Sequence, residues 1–234
     1  MKIHIITAFP NLLSGPLDES IIKRGRDKKL VEIFIYDLRQ YSSDKHHRVD
    51  DYPYGGGPGM IIKPEPIFRC IESVLETHNI YKPNLIYLTP QGKKYTQVRA
   101  IDFSKKDHLI FLCGHYKGVD ERVREYWKME EISIGDYVLT GGELPSLVVI
   151  DSVIRLIPGV LSDLDSAKSD SFYQNILDCP YYTRPEIFRG MAVPEVLLSG
   201  HHAKIEKWRK NEALKRTLQT RPDLIDSRNG NEDT

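Results

Sequence analysis

Apolar and β-branched residues gather in short runs at 2–7, 31–36, 85–89, 108–113 and 131–134. Runs of that length, apolar at nearly every position, predict strands buried on both faces. Between them the spacing changes. Over 64–78 the residues Ile67, Ile71, Val74, Leu75 and His78 recur every three or four positions behind Pro64 and Glu65. That period, with proline and an acid in the first turn, predicts an amphipathic helix. Residues 119–127 and 147–156 predict two more. Strands alternating with helices imply βαβ units around a mainly parallel sheet, so residues 1–161 read as one α/β domain.

The pattern breaks after Ile157-Pro158-Gly159. Residues 162–171 are polar and short-sided, which reads as an exposed linker. Beyond it Pro180, Pro185 and Pro194 punctuate an irregular stretch, and a helix is predicted over 203–219. Its apolar residues Ile205, Trp208, Leu214 and Leu218 form no single stripe, and Trp208 reads as core. Residues 172–234 thus make a small, mostly helical C-terminal domain, with a disordered tail at 226–234.

Composition narrows the class. Of the 234 residues 40% are hydrophobic and 28% charged, ordinary for a globular protein. No apolar run is long enough to span a membrane, and Met1 leads directly into a strand-like run rather than a signal peptide. Cys70, Cys113 and Cys179 are odd in number and lack CxxC spacing. They fit reduced thiols in a cytoplasmic protein better than disulfides or a zinc site. Net charge is zero, yet Lys204, Lys207, Arg209, Lys210, Lys215, Arg216 and Arg221 crowd the C-terminal helix against Glu206 and Glu212. A solvated helix face and a phosphate-contacting surface both account for that excess.

The chemistry is concentrated in glycine-bearing loops. Cys113-Gly114-His115-Tyr116-Lys117-Gly118 and the stretch from Ser133 to Pro145 each follow a strand-like run and lead towards a helix. Such turns place backbone N–H and C=O groups at the carboxyl ends of neighbouring strands, where open α/β sheets bind ligands. Neither loop has GxGxxG spacing, and no GxxxxGK[ST] phosphate loop occurs. A third segment, Asp50 to Met60, holds four glycines and two prolines. It is either a plain flexible loop or a cleft wall where backbone meets a ligand closely.

The segments HRVDDYPYGGGPGM, LIYLTPQG, FLCGHYKGVDERV, SIGDYVLTGGELPSLVVIDSVIRLIPGVL, SDSF, LDCPYYTRPE and VLLSGHHAKIEKWR together resemble the bacterial tRNA (guanine-N1)-methyltransferase family, TrmD. The resemblance runs in order along essentially the whole chain. It implies a SPOUT-class α/β fold with a deep trefoil knot, and a homodimer. It also implies methylation of guanine N1 just 3′ of the anticodon by S-adenosylmethionine, with magnesium assisting.

Carried onto this sequence, the resemblance places the methyl donor against Tyr87, Leu88, Thr89 and Pro90, and against Gly114, Tyr116 and Gly118. The third wall is Ile134, Gly135, Asp136, Tyr137, Val138, Leu139, Gly141, Gly142 and Pro145. Asp170 matches the general base, and an ionised carboxylate suits removal of the guanine N1 proton. Arg155 matches its cationic partner for the charge on O6, although pairing with Asp151 would be a structural alternative. Asp50 and Gly59 are expected to border the guanine pocket, and His201, Lys207 and Arg209 to meet tRNA. The resemblance names no metal ligand. His46, His47, His115 and His202 have no ligand-like spacing and read as bystanders. Where many relatives carry Glu, this chain has Lys117, expected to contact RNA or the donor carboxylate.

Rival readings are a SPOUT enzyme acting on ribosomal RNA, a non-catalytic RNA-binding module, and a small-molecule-binding regulator. The Arg155–Asp170 pair argues against the first, the glycine loops against the second, and the basic helix against the third.

Overall fold

A computed structural model describes residues 1–161 and 170–225. The predicted linker lies outside these except for its last two residues, and the predicted tail lies wholly outside. The chain divides into two compact units, Met1–Ser162 and Asp163–Thr234.

In the first unit the order is β1 (Lys2–Thr7), α1 (Ser14–Leu17), α2 (Ser20–Asp27), β2 (Glu32–Asp37), β3 (Asp50–Asp51), β4 (Ile61–Ile62) and α3 (Pro64–Thr77). Then come β5 (Leu85–Lys94), α4 (Gln97–Phe103), β6 (His108–Cys113), α5 (Glu121–Trp127), β7 (Glu130–Ser133) and α6 (Glu143–Ile154). Five strands form one sheet in the order β2-β1-β6-β5-β7, and every pairing is parallel. All five carboxyl ends therefore share one edge.

Alternation along each strand builds two cores. Ile3 and Ile5 of β1, Leu109 and Phe111 of β6, and Leu88 of β5 pack with Leu17, Phe103, Val149, Ile150 and Val153. Ile6, Ile110, Leu112 and Tyr87 point the other way, onto Ile67, Ile71 and Val74 of α3 and Val123 of α5. Burial of both faces explains why these strands read as nearly continuous apolar runs.

Two sequence expectations change, and two helices were not foreseen. The strand expected at 85–89 extends to Lys94, because between Leu88 and Lys93 its register on β7 shifts and both residues pair with Ile132. The polar residues there hid the extension. The helix expected at 147–156 spans Glu143–Ile154, since Pro145 sits in its first turn, where the missing N–H leaves no bond unmade. Helices α2 and α4 escaped the pattern because they bury only Ile22 with Gly25, and Ala100 with Phe103.

The second unit holds a short antiparallel pair, β8 (Ile187–Phe188) and β9 (Met191–Ala192), then α7 (Glu195–Leu198) and α8 (His202–Thr220). Helix α8 buries Ala213 and Thr217 and half-buries Ile205 and Trp208, while Leu214 and Leu218 stay exposed. Thr217 ties the helix down: its Oγ1 accepts from the Leu177 N–H at 2.9 Å and donates to the Ala213 carbonyl at 2.7 Å.

Two outcomes follow from this packing. A Cβ on Gly92 would fall on the backbone of Glu131 and Ile132, so Gly92→Ala should cost about 1–3 kcal/mol, read as a lower urea midpoint. The second concerns His4, fully buried and stacked on Phe34 and His108. Its Nε2 lies 3.1 Å from Nδ1 of His108 and its Nδ1 3.2 Å from the Tyr36 hydroxyl, which in turn meets Nε2 of His78 at 3.0 Å. Burial first, then His78, His108 and Lys2, push the His4 imidazole down to about 3 from its ordinary 6.5. Between those values the unfolded chain binds a proton that the folded chain excludes, so stability is full above the higher value and falls as pH drops towards the lower. Urea midpoints at about pH 7.5 and about pH 5 should diverge in the parent chain and diverge less in His4→Phe.

Candidate functional site

A cavity of about 580 Å³ opens at the carboxyl edge of the sheet in the first unit, within the range of small-molecule sites. Three segments wall it. The middle of β5, at its register shift, gives Tyr87, Leu88, Thr89, Pro90 and Gln91; the loop after β6 gives Gly114 to Val119; and the end of β7 with the loop after it, Ile132 to Gly142 except Asp136, closes the third side, with Pro145. Ile61 of β4 and Glu121 and Arg124 of α5 join them.

Glycine is required at this junction by space. A Cβ on Gly114 would come within 2.9 Å of the Tyr87 hydroxyl oxygen, and one on Gly142 within 2.8 Å of the Cys113 Cα. The Gly142 N–H instead donates to the Gly114 carbonyl at 2.8 Å, and His115 bridges Gly141. Two loops far apart in sequence are thereby stitched edge to edge. Tyr116 takes a left-handed backbone, φ 60°, an uncommon conformation for a residue with a side chain and one found at functional loops.

Beneath the first loop Tyr87 is nearly buried, and burial raises its hydroxyl above the ordinary tyrosine value. Arg124 sits 5.8 Å over the Tyr87 ring centroid. It donates to both carboxylate oxygens of Glu131, at 2.8 and 2.7 Å, and to Glu121 at 2.7 Å. With its charge committed to Glu131 and Glu121, Arg124 acts chiefly as a strut between α5 and β7.

A family model described as tRNA (Guanine-1)-methyltransferase TrmD matches residues 1–227. The chain belongs to that family. Among curated relatives, the tRNA (guanine-N(1)-)-methyltransferase of Listeria welshimeri is 52% identical, over 96% of this chain and 92% of its own length. The protein of the same name from Dehalococcoides mccartyi is 54% identical, over 97% of this chain and 91% of its own. That of Clostridioides difficile is 51% identical, over 98% and 99%.

Against this family background the structure gathers the residues expected at the donor around one cavity, with one exception. Tyr87, Leu88, Thr89, Pro90, Gly114, Tyr116, Gly118, Ile134, Gly135, Tyr137, Val138, Leu139, Gly141, Gly142 and Pro145 all line it. Asp136 does not. The Tyr137 N–H bonds the Gly135 carbonyl at 3.0 Å, and this tight turn leaves Asp136 exposed at its tip. Burial, and then the nearby Asp50 charge, raise the Tyr116 hydroxyl above the ordinary tyrosine value, and Gly59 lies against the Lys117 side chain, so both Asp50 and Gly59 border the first glycine loop.

Arg155 closes the C-terminus of α6, where its backbone N–H donates to the Asp151 carbonyl at 3.3 Å. Asp170 belongs to the second unit, where its carbonyl accepts from the Tyr173 N–H at 3.4 Å. His201 is the N-cap of α8, Lys207 is exposed on that helix, and Arg209 lines a separate cavity of about 460 Å³ with Tyr181, Tyr182 and Arg184. Among the described residues no group of three or more His, Cys, Asp or Glu could hold a metal ion, and no helix is long and apolar enough to cross a membrane.

Lys117 lies in the wall, while sequence reasoning missed Ile61, Gln91, Glu121, Arg124 and above all His115, which lines the cavity. Its partner Glu143 is 1% exposed. An acid directly after Gly-Gly at a helix start was the available signal.

Proposed function

We propose that this chain transfers a methyl group from S-adenosylmethionine to N1 of the guanine immediately 3′ of the anticodon in tRNA. The observation supporting it best is the cavity walled by three glycine-bearing segments in a chain whose family match covers residues 1–227. The residues present fit the donor. Leu88, Ile134 and Leu139 offer flat apolar walls for an adenine, and Gly114 and Gly142 bring the backbone where a Cβ has no room. When bound, S-adenosylmethionine supplies an electrophilic methyl group on a sulfonium and leaves as S-adenosylhomocysteine.

Guanine N1 is protonated at neutral pH and becomes nucleophilic only as that proton departs. Asp170 is assigned the proton, and the guanidinium of Arg155 the negative charge that gathers on O6. Asp50, beside Tyr116, and Gly59, beside Lys117, border the place of the target base, which must leave the loop stack to be reached. His201, Lys207 and Arg209 are assigned to the phosphates and sugars of the anticodon stem-loop. On this reading the first unit carries the trefoil knot of the SPOUT class, residues 172–234 form the tRNA-binding domain, and the enzyme works in the cytoplasm. The described donor set offers no metal cluster, so no step is assigned to magnesium.

The homodimer is part of the same proposal. Leu144 and Val148, one turn apart on α6, are 53% and 51% exposed, and Val138 nearby in sequence is 84% exposed. A second copy of the chain is the occupant assigned to this apolar face.

Label from methyl-labelled S-adenosylmethionine should enter an unmodified tRNA transcript with guanine 3′ of the anticodon and not its adenine counterpart. EDTA in the same assay checks the part of magnesium. Asp170→Asn should lower kcat about 100-fold or more while the affinity for S-adenosylhomocysteine holds; an equal loss of affinity would remove the assigned role. In sedimentation experiments the parent chain should run as a dimer and Val148→Asp as a monomer.

A further inference from the structure

Glu143 is a buried carboxylate to which the proposed reaction gives no task. Its Oε1 accepts the Thr7 hydroxyl at 2.6 Å, where β1 ends. Its Oε2 faces Nδ1 of His115 at 3.8 Å, too far for a hydrogen bond. That Nδ1 is buried without a hydrogen-bond partner among the described residues. An unpartnered imidazole nitrogen thus faces a buried carboxylate oxygen across a gap that a movement of about 1 Å would close. The His115 ring rests on Phe9, centroids 4.2 Å apart, and lines the cavity. With Nδ1 turned inwards, Nε2 is the ring nitrogen left to the cavity side.

We infer that Glu143 is a positioning residue for the methyl donor, acting through His115. Anchored by Thr7, the carboxylate takes the Nδ1–H of His115 and leaves Nε2 to serve as the acceptor. There it accepts a hydrogen bond from a hydroxyl or amino group of the bound donor. The same contact holds the two stitched loops in register, because Gly141 lies between the Glu143 carboxylate and the His115 ring with no room for a Cβ. A carboxylate withdrawn from water needs such partners, and a purely structural acid at this place would be satisfied without turning a second polar group towards the cavity. The inference rests on the reading of the cavity as the donor site.

The test is calorimetric binding of S-adenosylhomocysteine to the full chain, with unfolding temperatures measured alongside. Glu143→Gln and His115→Phe, which keeps a ring on Phe9, should each weaken binding roughly tenfold. The double variant should bind no worse than His115→Phe alone, because Glu143 acts only through the imidazole. Thr7→Val should weaken binding and Thr7→Ser restore it, a comparison that also serves should Glu143→Gln fail to fold. Additive losses in the double variant, undiminished affinity in Glu143→Gln, or equal affinity in Thr7→Val and Thr7→Ser would overturn the inference and leave the donor site standing. Failure of the parent chain to bind S-adenosylhomocysteine would overturn both.

Discussion

Everything at the carboxyl edge of the sheet depends on one close approach of backbone to backbone. Gly142 lies against the end of β6 so tightly that a Cβ would come within 2.8 Å of the Cys113 Cα, and its N–H is bonded to Gly114. Only glycine permits that distance. Once it is made, the start of α6 and the loop after β6 become one wall, and Glu143 is carried into the interior beside Thr7 and His115. The rest of α6 then packs Val149, Ile150 and Val153 under β1, β5 and β6, so the same helix that shapes the cavity also supplies the core. Site and stability cannot be varied independently along this segment.

The charges are arranged to suit that economy of space. Arg124 is bidentate to Glu131 and bonded to Glu121, which commits its charge to two protein carboxylates. Burial and the neighbouring Glu143 charge push the Cys113 thiol well above its ordinary range, so it behaves as a small apolar group and not as a nucleophile. Besides the paired Glu121 and Arg124, what the cavity keeps for a ligand is mostly backbone, apolar surface, Lys117 and the imidazole of His115. Such a lining suits a ligand with a flat apolar ring and scattered polar groups better than a polyanion.

Much of this was legible in the sequence. The spacing of Ile67, Ile71 and Val74 behind Pro64 marked α3 because one face of that helix carries its burial. The runs in β1 and β6 showed because parallel strands bury both sides. The clustered glycines marked the walls of the cavity because the constraint on them is local. Legibility ended where a partner lies far along the chain. The continuation of β5 beyond Thr89 is decided by β7, through the pairing of Lys93 with Ile132, 39 positions on, rather than by its own polar residues. His115 read as a bystander because Glu143 stands 28 positions away and Thr7 136 positions before that. The expected knot and the roles assigned to Asp170 and Arg155 rest on resemblance alone, since a single aspartate in a polar stretch has no periodicity to betray it.

The two units also differ in kind, and the difference follows from composition. The first spends its apolar residues on two cores flanking one sheet, and its loops are stitched by backbone contacts that leave little freedom. The second has so few buried positions that α8 is exposed nearly all round, with Lys204, Lys207, Arg209, Lys210, Lys215 and Arg216 against Glu206 and Glu212. A rigid cavity suits a small donor whose atoms must be held to within fractions of an ångström. A charged, sparsely packed helix suits an extended polyanion, where position is set by many phosphate contacts, each weak and screened by salt. Precision is therefore built into the unit that would hold the donor, and reach into the unit assigned to the RNA.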